Sequence, residues 1–164
     1  MDPEPDPAAK KMVLRQFSYG LYAVTAAHGG ERGVFTANWL SQVSFDPPLV
    51  AVSVERESST LPLIVASGRF AVCPLAEGQA ELAGNLGRPK AKAGDKFARY
   101  GLATRETAAG VPVLADALGW VVCEVTGDLP AGDSVLLVGR VIEAGALRDG
   151  DPLTMRAAGY RHAG

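Results

Sequence analysis

The stretch VFTANWLSQVSFDPPLVAVSVERESST, Val34 to Thr60, constrains the fold of this chain more than any other part. It opens as a strand, breaks at Asp46-Pro47-Pro48, and resumes as a second strand, Leu49 to Val54. Proline lacks the backbone donor that a sheet ladder needs, so neither strand runs through the break. The second strand leads into Ser58-Ser59-Thr60, a hydroxyl-rich helix start, with Pro62 allowed in the first turn. Two clusters of small polar groups, Thr36 to Ser44 and Ser58 to Thr60, are thereby carried on an apolar scaffold.

The flanking sequence is of one kind. A disordered or extended arm is expected over residues 1–10, where prolines oppose a helix, ahead of a single domain over 11–164. A short helix is predicted from Ala8 to Tyr19, closed by Gly20. Leu21 to Ala26 and Val34 to Phe45 read as a hairpin around Gly29-Gly30-Glu31-Arg32-Gly33, with His28 at its tip. Leu61 to Ala66 reads as a helix ended by Gly68, Arg69 to Leu75 as a strand, and Glu77 to Leu86 as a helix closed by Gly87. Arg88 to Lys96 is expected to be a basic loop. Beyond it, Val113-Leu114, Trp120 to Val125 and Val135 to Ile142 are strands, with turns at Gly127-Asp128 and Ala131-Gly132-Asp133. Many short strands and few helices predict a mainly β closed barrel rather than a parallel α/β sheet.

Composition excludes several functions. The formal net charge is −2, so no basic stripe is available for nucleic acid. No apolar run reaches the roughly 18 residues of a membrane-spanning helix. The acidic start is unlike a secretory leader, which makes the cytoplasm the expected compartment. Cys73 and Cys123 lie in separate apolar runs and read as buried thiols rather than zinc ligands or a redox pair. No Ser elbow, metal-spaced cluster, GxGxxG or Walker-type loop occurs, so no catalytic residue and no metal ligand is assigned. If the chain is an enzyme, a bound cofactor must carry its chemistry.

Three constellations could hold a ligand. Ser58, Ser59 and Thr60 stand at a helix start, where unpaired N–H groups favour an anion such as phosphate. Capping of that helix, worth about 1 kcal/mol, explains the same residues without a ligand. In Thr36-Ala37-Asn38-Trp39-Leu40-Ser41-Gln42, alternation puts Asn38, Leu40 and Gln42 on one face and Ala37, Trp39 and Ser41 on the other. Asn, Ser and Gln so close together line a polar ring, or else mark a half-exposed edge strand. The third is Arg88, Lys90, Lys92 and Lys96, a solvated face unless an anion binds; Lys96, before apolar Phe97, is the member best placed to be held.

At these residues the chain resembles the flavin reductase-like, FMN-binding split-barrel family, over nearly its whole length from about Lys11. The matching pieces include Tyr19-Gly20-Leu21-Tyr22, Thr36-Ala37-Asn38-Trp39, Ser44-Phe45-Asp46-Pro47-Pro48-Leu49-Val50 and Ser58-Ser59-Thr60. They continue through Ser67-Gly68-Arg69-Phe70-Ala71-Val72, Gly94-Asp95-Lys96-Phe97, Val111-Pro112-Val113-Leu114 and Gly132-Asp133. Their order and spacing carry the likeness, and the NWLSQVSF wording is most similar to the flavoredoxin-like branch.

The resemblance implies a six-stranded Greek-key split barrel, homodimeric, with FMN near the dimer interface. It implies that Thr36 to Gln42 line the isoalloxazine, Asn38 and Trp39 closest. Ser58, Ser59 and Thr60 would hold the ribityl phosphate or reach the ring edge, and Lys96 would balance flavin charge. The implied activity is NAD(P)H-dependent flavin reduction, with NADH or NADPH as donor and free flavin, a monooxygenase or another redox protein as acceptor. A non-enzymatic FMN electron carrier is the alternative. Two departures stand out: Gly132-Asp133-Ser134 replaces a common Gly-Asp-His, and Tyr160 and His162 replace Trp and Tyr of a Gly-Trp-x-Tyr-x-Gly ending.

Overall fold

The computed structural model describes residues 1–161; His162 lies outside them. Asp6 caps the first helix, α1 (Pro7–Leu14), its carboxylate accepting from the Ala8 N–H at 3.0 Å. Pro7 occupies a first-turn position, where its missing N–H costs nothing, so residues 7–10 are helical rather than extended. The helix stops at Leu14, earlier than Tyr19, and buries no side chain.

The sheet follows: β1 (Tyr22–His28), β2 (Glu31–Ala37), β3 (Leu40–Ser44), β4 (Leu49–Glu55) and, after α2 (Leu61–Ser67), β5 (Arg69–Pro74). Next come α3 (Ala80–Leu86), α4 (Lys90–Ala93) and α5 (Lys96–Arg99), then the small pair β6 (Thr104–Arg105) and β7 (Val113–Leu114). Two long arms, β8 (Gly119–Ala131) and β9 (Ser134–Ala146), and α6 (Met155–Ala158) complete the chain. Seven strands form one antiparallel sheet in the order β2-β1-β5-β8-β9-β4-β3. The sheet curls without joining its edges, as in a split barrel.

Three expectations change. Val34 to Phe45 is two strands, because the ladder of β2 with β1 ends at Ala37 and β3 pairs instead with β4 at the far edge. Gly127-Asp128 is no turn; it sits inside β8, where the register slips between Val125 and Gly127 as a bulge. Part of the expected basic loop is helical in α4, with Pro89 as its N-cap residue.

Alternation along the strands divides the buried residues between two cores. Val24, Val52, Val54, Ile64, Phe70, Val72 and Cys123 pack in one, with α2 laid over β1. Ala23, Ala71, Cys73, Leu86, Phe97, Val113 and Val122 pack in the other, beneath α3, α5 and the β6–β7 pair. Central strands buried on both faces explain why β1 and β5 read as continuous apolar runs. Among the described residues no helix is long and apolar enough to cross a membrane.

Packing is tight where β9 crosses the first core. A Cβ added at Gly139 would lie 2.8 Å from both Cys123 Cβ and Phe70 Cε1. Gly139→Ala is therefore expected to lower stability in urea unfolding by about 1–3 kcal/mol. Gly127→Ala, whose methyl would meet nothing within 4 Å, is expected to stay within about 0.5 kcal/mol of the parent. Equal stability of the two variants would contradict this packing.

Candidate functional site

The two-residue gap between β2 and β3 shapes the site. Asn38 and Trp39 fall where the chain leaves β1 for β4, and the turn is tied by the Ser53 N–H donating to the Trp39 carbonyl at 3.0 Å. Beside this turn lies a cleft of about 620 Å³. Thr36, Ala37, Asn38 and Trp39 line one wall, and Ser58, Ser59, Thr60 and Lys96 line others. Leu40, Ser41 and Gln42 do not reach it; they run along the outer strand β3, where Ser41 and Gln42 are exposed. The alternating faces expected through Gln42 are lost because the strand breaks at Asn38-Trp39 and bulges between Gln42 and Ser44.

Thr36 is fixed by its hydroxyl, which donates to the Ala83 carbonyl of α3 at 2.5 Å. Asn38 donates from Nδ2 to Met155 Sδ at 3.2 Å, so α6 backs this wall. Opposite, Thr60 is buried at the start of α2, and its hydroxyl caps nothing. Ser58 Oγ instead accepts from the Thr60 N–H at 3.3 Å. Among the described residues the Ser59 and Thr60 hydroxyls have no hydrogen-bond partner. Bonding at the helix start therefore accounts for the Ser58 hydroxyl and not for those of Ser59 and Thr60. Thr60 fits because Gly33 faces it: a Cβ there would come within 2.7 Å of Thr60 Oγ1.

Lys96 is only 8% exposed. Its Nζ donates to the carbonyls of Val34, at 3.0 Å, and Leu86, at 2.5 Å, leaving one of three donors. Burial pushes its pKa down to about 8, so the ammonium is largely charged at neutral pH and titrates just above it. Arg88 and Lys90 add positive charge along the rim, against Glu55 and Glu57. A recess of about 330 Å³ continues the cleft past Ser59, Lys90 and Lys96, and there Arg32 lies 4.3 Å from the Phe97 ring centre.

Further residues complete the walls, of which Phe35 and Ser53 were not singled out from sequence. Phe35 and Ser53 line the cleft, and so does Ser134, which pairs with Glu55 across β9 and β4. A lone Ser within the apolar run Leu49 to Val54 was a readable signal for Ser53. Ser134 is 3% exposed and donates to Asp133 Oδ1 at 3.2 Å, so the Ser of Gly132-Asp133-Ser134 stands in the cleft wall. Neither thiol takes part: burial pushes Cys73 up to about 11 and Cys123 up to about 12, which keeps both protonated and unreactive.

The cleft thus offers amide and hydroxyl groups at one end, and hydroxyls with basic side chains at the other. Such a site suits a planar polar ring joined to an anion. The flavin reductase like domain matches residues 14–164. A probable flavin reductase from Rhizobium meliloti (strain 1021) is 33% identical over 83% of this chain, which spans only 42% of that protein's length. The reductase component of 4-hydroxyphenylacetate 3-monooxygenase from Thermus thermophilus is 32% identical over 93% of this chain and 94% of its own. Among solved structures, an FMN-binding protein from Thermus thermophilus superposes with a TM-score of 0.76 at 25% identity, over 89% of this chain and 78% of that one. The chain belongs to the flavin reductase like domain family.

Proposed function

We propose that this protein is an FMN-dependent oxidoreductase that takes a hydride from NADH or NADPH and delivers reduced flavin or its electrons onward. The observation that carries the reading is the convergence of Thr36 to Trp39, Ser58 to Thr60 and Lys96 on one cleft. Thr36, Asn38 and backbone of the strand break face the ring; the unpartnered hydroxyls of Ser59 and Thr60 hold the phosphate, with Arg88 and Lys90 in support. Lys96 supplies a fixed positive charge close to the flavin. When bound, FMN supplies the two-electron chemistry; the chain orients it and shields it from water.

A second copy of the chain completes the site in this reading. Val43 on β3 and Phe45 just after it are 54% and 90% exposed, beside an unpaired sheet edge. Docking of a partner there covers both and brings Leu40, Ser41 and Gln42 toward a flavin. The likeness to a monooxygenase reductase component supports an oxygenase as the electron acceptor. The two free, buried thiols fit a reducing compartment, and we place the activity in the cytoplasm.

Mixing the protein with FMN and NADH or NADPH without oxygen is expected to bleach the flavin absorbance. Failure with both nicotinamides, alongside full reduction by a ferredoxin-type protein donor, would replace the reductase with a non-enzymatic electron carrier. A second test uses pH. Because the anion binds the charged form of Lys96 more tightly, the FMN Kd is expected to begin rising as pH passes about 8, by up to tenfold per unit. The rise levels off at the higher pKa that Lys96 has in the complex. Lys96→Met should bind FMN more weakly and flatten this dependence between about pH 7 and 9; a parent profile already flat there would remove Lys96 from the flavin site.

A further inference from the structure

A second cavity, of about 770 Å³, lies apart from the cleft proposed for the flavin. It lies between the segment after α1 and the turn around α6, and none of the residues predicted to bind FMN lines it. Three guanidinium groups, Arg15, Arg156 and Arg161, face it without any Asp or Glu in its lining, in a chain whose net charge is −2. Among the described residues none of the three makes an ion pair or a side-chain hydrogen bond. Phe17 and Tyr160 line the same cavity and are 55% and 40% exposed, so aromatic surface is accessible there.

The floor is built before any ligand arrives. Gly20 and Thr154 form an antiparallel bridge, and the Met155 N–H donates to the Tyr19 carbonyl at 3.0 Å. Tyr160 is anchored twice, its N–H donating to the Met155 carbonyl at 3.0 Å and its hydroxyl to the Ala80 carbonyl at 2.8 Å. A preformed concavity loses little entropy on binding. Unpaired arginines suit phosphate, which they grip through two parallel N–H bonds, and aromatic faces suit a stacked base. Met155 is also the acceptor of the Asn38 amide, so the floor of this cavity and the ring end of the flavin cleft share one wall.

We propose that this second cavity binds a phosphorylated adenosine group, the end of a nicotinamide dinucleotide remote from its reactive ring. The proposal rests on the reductase reading for the dinucleotide, and it assigns the donor's phosphate recognition to Arg15, Arg156 and Arg161. Three cations without a counter-charge favour the donor with the additional 2′-phosphate, NADPH over NADH.

The test is calorimetric titration of the FMN-loaded protein with adenosine 2′,5′-bisphosphate, which cannot transfer a hydride. Saturable binding is expected, at least tenfold tighter than adenosine, and weakening as salt is raised. Arg15→Ala combined with Arg156→Ala should weaken it at least tenfold while FMN affinity and the melting temperature stay at parent values. The same double variant should raise the KM for NADPH more than that for NADH. No binding, binding indifferent to the two arginines, or displacement of FMN by the bisphosphate would each overturn the proposal. The two readings fail separately. Parent-level KM for NADPH in the double variant, with bleaching intact, rejects the adenosine site and leaves the reductase standing. Arginine-dependent bisphosphate binding without bleaching by either nicotinamide upholds the site and rejects the reductase.

Discussion

One constraint organises this molecule: the chain between Ala37 and Leu40 must pass from one edge of a sheet to the other. β2 ends beside β1, β3 begins beside β4, and five strands separate the two in the ladder. The three steps from Ala37 to Leu40 span little more than about 10 Å when extended, so the sheet has to curl until its edges come close. The edges do not zip together, because Asn38 and Trp39 occupy the crossing and the Trp39 carbonyl is held by the Ser53 N–H. A barrel that cannot quite close leaves a cleft at its seam. The polar residues at the break are therefore in the right place for recognition and in the wrong place for regular pairing.

Lys96 secures the other side of that seam. Burying an ammonium is costly, and the cost falls when its protons meet acceptors. Here the Val34 carbonyl comes from β2 and the Leu86 carbonyl from the end of α3, so one side chain joins an edge strand to the helix layer. The depressed pKa records the remaining penalty. An anion in the cleft would relieve it. A strained cation of this kind marks a candidate for binding as well as a structural tie.

Much of this was legible in the sequence, for identifiable reasons. β1, β4 and β5 are buried runs of strand formers with clear stops, and Asp46-Pro47-Pro48 ended a strand where chemistry required it. The two hydroxyl and amide clusters were visible because small polar residues stood out against an apolar scaffold. The break at Asn38-Trp39 was not visible, since neither residue is a turn former strong enough to mark it against β-prone neighbours. For that reason Leu40, Ser41 and Gln42 were grouped with a site they reach only if a second chain supplies it. The partner of Lys96 was equally hidden, because a backbone carbonyl 62 residues away leaves no trace in composition. Ser134 stood out in sequence as a departure from Gly-Asp-His, but its place in the cleft wall appeared only when the hairpin of β8 and β9 set it opposite Glu55.

Fold and site together define a division of labour. The two cores hold the barrel; the seam is where we propose that flavin binds; the basic, aromatic cavity behind Met155 lies across a shared wall. The central claim is that FMN occupies the seam. It is tested most directly by backbone amide shifts of isotope-labelled protein titrated with FMN. The largest shifts are expected at Thr36 to Trp39, Ser58 to Thr60, Arg88, Lys90 and Lys96. Shifts centred instead on Gln16 to Gly20 and Met155 to Arg161, with the seam unmoved, would contradict it.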